Sequence, residues 1–397
     1  MHQVYVVDAL RTPIGRYGGA LAAVRPDDLA ATAISSLIER SSLDPEVVDE
    51  VLLGCANQAG EDNRNIARMA TLLAGLPDRV PAMTLNRLCA SGLDAVNDGW
   101  RRIALGEADC IIAGGVESMS RAPWSVPKPD RLPAGANTMY DTALGWRYPN
   151  ERLAARFPLE NMGETAENLA ERYALDRPAQ DAWALRSHRL ALAAQAAGDF
   201  GPELIPVTVK KRKETKNVEQ DEGPRADSSP EGLARLRPAF RPGGTVTAGN
   251  SSTLNDGAAA LLLMSEAALL RSGREPLGRI CGVAQAGVDP RVMGIGPVPA
   301  VERLLSRLGW TWQDVDLVEL NEAFAAQTLA VLSHWSIDPT QVNVSGGAIA
   351  LGHPLGASGA RIAATLLWSL RRLNLRRGIA ALCVGVGQGV ATAFERP

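Results

Sequence analysis

The chain has 397 residues, 46% of them apolar and 21% charged, the composition of a soluble globular protein long enough for two domains or one duplicated domain. Its 41 basic residues against 44 acidic ones leave a formal net charge of −3, so no global basic field points to nucleic acid or to an anionic membrane. Five dispersed cysteines without a CxxC pair or zinc-like spacing predict free thiols, no metal site and a reducing, cytoplasmic setting. The longest apolar runs, such as Ala258–Met264, fall short of the roughly 20 residues a membrane-spanning helix requires, and strand-like Gln3–Val7 stands where a signal peptide would begin, so neither is expected.

In chain order, Val4–Val7 and Glu50–Leu53 read as strands on either side of a helix over Asp27–Glu39, whose first turn is acidic. Ala82–Leu85 reads as a strand that feeds a turn at Arg87–Ala90 and a helix to about Ala104. Asp109–Ala113 follows as a short buried strand ending at Gly114-Gly115. Such alternation predicts an α/β architecture with helices covering the sheet. From about Met119 to Gly249 the chain becomes rich in Pro, Arg and charge. Two amphipathic helices there, over Glu164–Tyr173 and Pro178–Ala197, predict an ordered lobe inserted into the core. The run Lys210–Lys213 reads as a solvated loop, its other reading being a contact to the phosphates of a nucleotide-bearing thiol.

After Gly257 the alternation resumes, with strands over Ala258–Met264, Arg279–Ala284, Val315–Leu320, Val342–Val344 and Ile379–Val384, and helices over Ala300–Leu308 and Ala357–Leu370. Ala90-Ser-Gly92 opens a helix that leads to Cys110–Gly114, and Ala357-Ser-Gly359 opens one that leads to Leu382–Gly385. This echo predicts two similar halves with a site between them.

Four residues in strand-end or Gly-rich settings carry chemistry. Cys89 lies at the start of a helix, where the partial positive charge of the helix end favours a thiolate. An isolated cysteine is ordinarily a packing residue; here the Cys-Ala-Ser-Gly turn and its downstream partners point to a nucleophile. His353 sits in Gly352-His-Pro354, whereas His2 is terminal and His188 and His334 fall in helical patterns suited to surface or packing roles. It can raise the thiolate fraction of Cys89 and then donate to a thioester oxygen. Cys383 enters a three-glycine loop, where a second thiol can move an α-proton and backbone N–H groups can face developing negative charge. Asn321, opening Asn-Glu-Ala-Phe324, reads equally as a helix N-cap and as a holder of a water or an enolate oxygen.

These motifs, with Arg11–Gly15, Gly114–Met119, Thr247–Asn250, Asn255–Gly257 and Gly346–Gly359, run the length of the chain and together resemble the thiolases, acyltransferases that work on acyl-coenzyme A. The resemblance implies a five-layered fold of two similar α/β halves, placed at 1–119 plus 254–274 and at 275–397, with an inserted loop domain over 120–253 that binds coenzyme A. It implies Cys89 as the acylated nucleophile, Cys383 as the acid/base, and His353 activating Cys89 and forming a first oxyanion hole with a water on Asn321. A second hole would use the N–H groups of Cys89 and Gly385. Coenzyme A contacts are implied at Ser252 beside the pantetheine arm, at Arg225 near the adenine, and at Ala248, Leu254, Met162, Phe324 and Met293. Coenzyme A would be a co-substrate, with no permanently bound cofactor, and the chain would form a dimer or a tetramer.

Gly54–Asn65, Gly145–Tyr148 and Arg291–Gly296 resemble the thiolases that act on 3-oxoadipyl-CoA, whose distal carboxylate suits a cation such as Arg147 or Arg64. Asn161 stands where acetoacetyl-CoA thiolases usually carry histidine, and Ser345 where asparagine is usual. A decarboxylating condensing enzyme would not ordinarily need Cys383, and a non-catalytic carrier would need none of the three reactive side chains.

Overall fold

The computed structural model describes residues 2–129, 136–211 and 214–397. Apolar and β-branched stretches form nine main strands: β1 (Val4–Arg11), β2 (Glu50–Gly54), β3 (Ala82–Leu85), β4 (Cys110–Ser118), β5 (Asn255–Ser265), β6 (Gly278–Gly287), β7 (Leu317–Leu320), β8 (Arg377–Val384) and β9 (Gln388–Glu395). They run in the order β7-β8-β9-β6-β1-β5-β4-β2-β3, with Gly15–Arg16 pairing onto β5.

The path is one pattern written twice. In the first half β3, β2 and β4 are parallel while β5 and β1 follow antiparallel. In the second half β7 and β8 are parallel while β9 and β6 follow antiparallel. A single parallel bridge, Val318 to Val342, occupies the place of β3. The halves meet edge to edge where Tyr5 pairs with Arg279 and Val6 with Gly278.

Helices α1 (Pro26–Arg40) and α2 (Ile66–Leu73) cover the outer face of the first half. Helix α3 (Ser91–Leu105) lies between the halves. The inserted region supplies α4 (Met162–Arg172) and α5 (Arg177–Ala197). In the second half α6 (Pro297–Leu308) covers the outer face, α7 (Ala325–Leu332) follows β7, and α8 (Leu355–Arg372) packs against α3 in the central layer. Helix, sheet, helix pair, sheet and helix make the five layers expected, and the central apolar cluster draws Leu93, Val96, Leu261, Ile362, Leu366 and Leu382 from both halves. Burying this much apolar surface is the main stabilising term. Among the described residues no helix is long and apolar enough to cross a membrane.

Several boundaries differ from expectation for tertiary reasons. Strand β4 runs through Gly114-Gly115 instead of ending there. A Cβ at Gly114 would lie 2.0 Å from the Ala259 carbonyl oxygen, and one at Gly115 would lie 2.0 Å from that of Gly356, so these glycines serve close packing. Val342–Val344 forms one bridge and no strand, because Asn343 turns to φ 51° and its side chain bonds both the N–H and the carbonyl of Leu320 at 2.8 Å. His334 falls in the turn after α7, against the edge of Tyr173, while His188 is buried on α5. Lys210 is exposed in a hairpin strand, Val207–Lys211, not in a loop; Arg212 and Lys213 lie outside the described residues. Arg11 is fully buried and pairs with Glu203 at 2.6 Å and Asp221 at 2.7 Å, fastening β1 to the inserted region.

Candidate active site

The parallel strands of both halves end on one side of the central helices, the usual place for a site in such sheets. Beyond β3 the chain makes a single 3-10 turn, Leu88–Ala90, into α3. Ser91 closes that turn, its hydroxyl accepting from Arg87 N–H at 2.9 Å and donating to the Leu88 carbonyl at 2.6 Å. Asn86 accepts from Leu88 N–H at 2.9 Å and donates to the Ala56 carbonyl at 3.0 Å. Leu88 is held at φ 45°, an unfavourable conformation for a leucine that presents the next residue, Cys89, at the helix start.

Cys89 keeps partial exposure, and the backbone N–H groups of Gly385 and of Cys89 itself lie where they favour a thiolate on its sulfur. Burial outweighs those donors and pushes the thiol up to about 11, so the expected easy thiolate is not the resting state. Cys383, at the end of β8, is buried, and both burial and neighbouring Cys89 push its thiol up. In the turn that follows β8, Val386 is held at φ 65°, a second strained residue. Gly385 is tightly enclosed: a Cβ there would lie 3.2 Å from Leu88 Cδ1 and 3.4 Å from Met162 Sδ.

His353 precedes α8 and is set by Asn255, whose Oδ1 accepts the histidine N–H at 2.9 Å. Gly352 is required there, since its φ is 108° and a Cβ would lie 2.5 Å from the Asn255 amide. The ring bonds Ser358 Oγ through Nδ1 at 2.6 Å and Asn321 Nδ2 through Nε2 at 3.4 Å. Burial, with Arg361 second, lowers its pKa to about 3, so the ring is neutral. Asn321 is not an N-cap: α7 begins at Ala325, capped by Phe324. Its Oδ1 is buried without a hydrogen-bond partner among the described residues.

Of the residues expected to touch coenzyme A, Met162, Met293 and Phe324 share one apolar cluster with Cys383. Ser252 is half-buried and donates its N–H to the Ala323 carbonyl at 3.0 Å, next to the Asn321–Phe324 segment. Leu254 is half-buried, its carbonyl accepting from Tyr17, and Ala248 is exposed in the turn before Asn250. Arg225 is exposed, with its N–H on His188 Nδ1 at 3.2 Å, and belongs to none of these contacts. Arg147 donates to the Thr142 carbonyl at 2.7 Å and to Asn57 Oδ1 at 3.4 Å, whereas Arg64 is exposed. Asn161 precedes α4, where Glu164 reaches back to its N–H at 2.7 Å, and Ser345 accepts from Arg372 at 3.2 Å.

Ser358, Asn255 and Glu117 also shape the site, although only their motifs stood out in the sequence; the repeated Ala-Ser-Gly was the available signal for Ser358. Cys55, Asp62 and Glu117 bring ligand-type atoms within 4.8 Å of one another. The Glu117 oxygens already accept three backbone N–H groups, which face a cation unfavourably.

Two thiols, a neutral histidine and backbone N–H groups facing one sulfur have the chemistry to exchange an acyl group and a proton. The family models described as "Thiolase, N-terminal domain" and "Thiolase, C-terminal domain" match residues 4–267 and 274–396. A Pseudomonas knackmussii protein named beta-ketoadipyl-CoA thiolase is 55% identical over 397 residues, covering 99% of each chain. The crystal structure of the Bacillus anthracis acetyl-CoA acetyltransferase superposes with a TM-score of 0.94 at 45% identity, over 100% of this chain and 99% of that one. That of human mitochondrial 3-ketoacyl-CoA thiolase in complex with CoA gives 0.93 at 40% identity, over 100% and 98%.

Proposed function

The chain belongs to the thiolase family of acyltransferases, and on that premise we propose that it cleaves 3-oxoadipyl-CoA with coenzyme A to succinyl-CoA and acetyl-CoA. The reaction is ping-pong acyl transfer. His353 Nε2 takes the Cys89 proton as the sulfur attacks the 3-oxo carbon, because neither group is charged at rest. The N–H groups of Cys89 and Gly385 receive the oxyanion. As the Cα–Cβ bond breaks, Cys383 gives its proton to the departing acetyl-CoA carbanion, whose thioester oxygen lies at His353 and Asn321. Coenzyme A then returns a proton to Cys383, attacks the succinyl thioester and expels the Cys89 sulfur, which takes its proton back from His353 Nε2.

The observation that carries this reading is the meeting of the Cys89 turn with the end of β8 that bears Cys383, where a Cβ on Gly385 would lie 3.2 Å from Leu88 Cδ1. The relatives' printed names support the substrate and the co-substrate: beta-ketoadipyl-CoA thiolase for the 55% identical protein, and a CoA complex for the human one. Arg147 is the proposed partner of the distal carboxylate. It leans on Asn57, beside Ala56, whose carbonyl holds Asn86 in the turn that carries Cys89. Residues 120–253 form the proposed coenzyme A-binding insertion between halves at 1–119 plus 254–274 and at 275–397, with Met162 reaching the Cys383 cluster and Ser252 bonded to Ala323, next to Phe324. A cytoplasmic dimer or tetramer completes the proposal, supported by the half-exposed edge strand β3 and by exposed Met69, Leu72 and Leu73 on the neighbouring helix.

The test is coenzyme A-dependent cleavage of 3-oxoadipyl-CoA, acetoacetyl-CoA and a long-chain 3-oxoacyl-CoA, compared by kcat/KM. The dicarboxylic substrate is expected to lead; a preference for either monocarboxylic substrate contradicts the substrate assignment.

A further inference from the structure

The register of the two half-sheets gives Cys383 a counterpart. Glu117 faces Gly257 across β4 and β5, as Cys383 faces Gly389 across β8 and β9. Counting along the parallel partners, Gly54 lies opposite Gly115 as Leu320 lies opposite Ala381, so Glu117 and Cys383 each stand two residues further on. The first half thus ends its central strand on a buried carboxylate where the second half ends on the acid/base thiol.

That carboxylate is 1% exposed and has no basic side chain paired with it among the described residues. Oε2 accepts Ala56 N–H at 2.9 Å and Gly356 N–H at 2.8 Å, and Oε1 accepts Asn57 N–H at 3.1 Å. Burial, opposed by these three donors, raises its pKa to about 7, so the carboxylate carries its full charge only above neutral pH. The three donors come from opposite halves. Gly356 lies in the first turn of α8, three residues after His353. Ala56 and Asn57 open the loop whose side-chain contacts extend to Thr142 at 3.1 Å and Arg147 at 3.4 Å. The junction admits no slack: a Cβ on Gly356 would lie 2.4 Å from the Val116 carbonyl oxygen.

We propose that Glu117 is a positioning residue that latches the loop for the distal end of the acyl group to the start of the His353 helix, so that both reach Cys89 in register. The proposal rests on the thiolase reading with Cys89 as nucleophile. The groups facing the Glu117 carboxylate are Cys55, whose sulfur lies 4.0 Å away, Asp62 and Cys89, with Arg147 beyond Asp62. The Glu117 charge opposes ionisation of Cys89, so it affects the sulfur electrostatically as well as through its placement.

Two variants separate these effects. Glu117→Gln keeps the shape, removes the charge and turns an amide N–H₂ toward backbone donors. Glu117→Asp keeps the charge but shortens the reach. Each is compared with wild type by circular dichroism, by iodoacetamide alkylation of Cys89 against pH, and by single-turnover acylation with 3-oxoadipyl-CoA and acetoacetyl-CoA. Both variants are expected to acylate about 10- to 100-fold more slowly, the cost of a misplaced reacting group. Only Glu117→Gln is expected to move the alkylation profile to lower pH. A folded Glu117→Gln with acylation within about twofold of wild type and an unmoved alkylation profile overturns the latch; should that variant not fold, undiminished acylation by Glu117→Asp does the same. Wild-type protein that keeps full turnover after Cys89 is alkylated overturns the thiolase reading itself.

Discussion

His353 and Ser358 fix each other's protons. The Nδ1–Oγ distance is 2.6 Å, and the serine hydroxyl donates to the Pro354 carbonyl at 2.8 Å. With its only proton committed, Oγ accepts from Nδ1–H, which leaves Nε2 as the lone-pair nitrogen facing Asn321 at 3.4 Å. Nε2 is therefore the ring atom left free to take up a proton and, once protonated, to donate one.

Ser358→Ala frees the ring to take either tautomer. Loss of one buried hydrogen bond is worth about 1 kcal/mol, so kcat is expected to fall about 5- to 10-fold with KM nearly constant. Steady-state kinetics of the variant check this; an unchanged kcat contradicts the tautomer assignment.

Burial sets the pH dependence of Cys89. Its thiol is raised to about 11 and His353 is lowered to about 3, so both are neutral across the physiological range. A raised thiol holds less thiolate at any given pH than a free cysteine, whose pKa is about 8.5. Alkylation of Cys89 by iodoacetamide is therefore expected to keep rising with pH above that value. A rate that is flat between about pH 6 and about pH 9 indicates a thiolate–imidazolium pair instead.

Arg147→Ala removes the cation proposed for the distal carboxylate while leaving the thiols untouched. The expected result is a 10- to 100-fold rise in KM for 3-oxoadipyl-CoA, roughly 1.4 to 2.7 kcal/mol, with acetoacetyl-CoA kinetics nearly unchanged. The same assay on Arg64→Ala is expected to show little effect; reversal of the two results moves the carboxylate site to Arg64.

His188 adds acid sensitivity away from the reacting atoms. Burial first, then Arg225 and Arg16, lowers its pKa from 6.5 to about 4, and its Nδ1 accepts the Arg225 N–H at 3.2 Å only in the neutral ring. With the folded pKa depressed, the unfolded chain takes the proton first as pH falls. The stability contribution is present above pH 6.5 and is lost as pH falls toward about 4. His188→Gln, which keeps an acceptor, is expected to lose less Tm than wild type between neutral pH and the lower end of that window. Equal losses contradict the linkage.

Much of the site was legible because it lies in local turns. Ala82–Leu85 is a strand as expected, the turn before α3 carries Cys89, and the repeated Ala-Ser-Gly marks the helices that pair in the central layer. What escaped sequence reading was tertiary. Gly114 and Gly115 resemble a turn until the Ala259 and Gly356 carbonyls close on them. Asn343 replaces a strand by bonding Leu320 through its side chain. Cys89 has the helix start and N–H donors that favour a thiolate, yet burial wins, and burial is not a property of a motif. The Glu117 donors are separated in sequence by some three hundred positions, from Ala56 to Gly356, so no periodicity could unite them.

The most direct measurement is mass spectrometry of the acyl-enzyme trapped from 3-oxoadipyl-CoA in the absence of free coenzyme A. The account predicts one succinyl group, located on the Cys89 peptide, that is discharged as succinyl-CoA when coenzyme A is added and is absent from Cys89→Ala. Normal turnover by Cys89→Ala, or an acyl group carried on any of the other four cysteines, contradicts it.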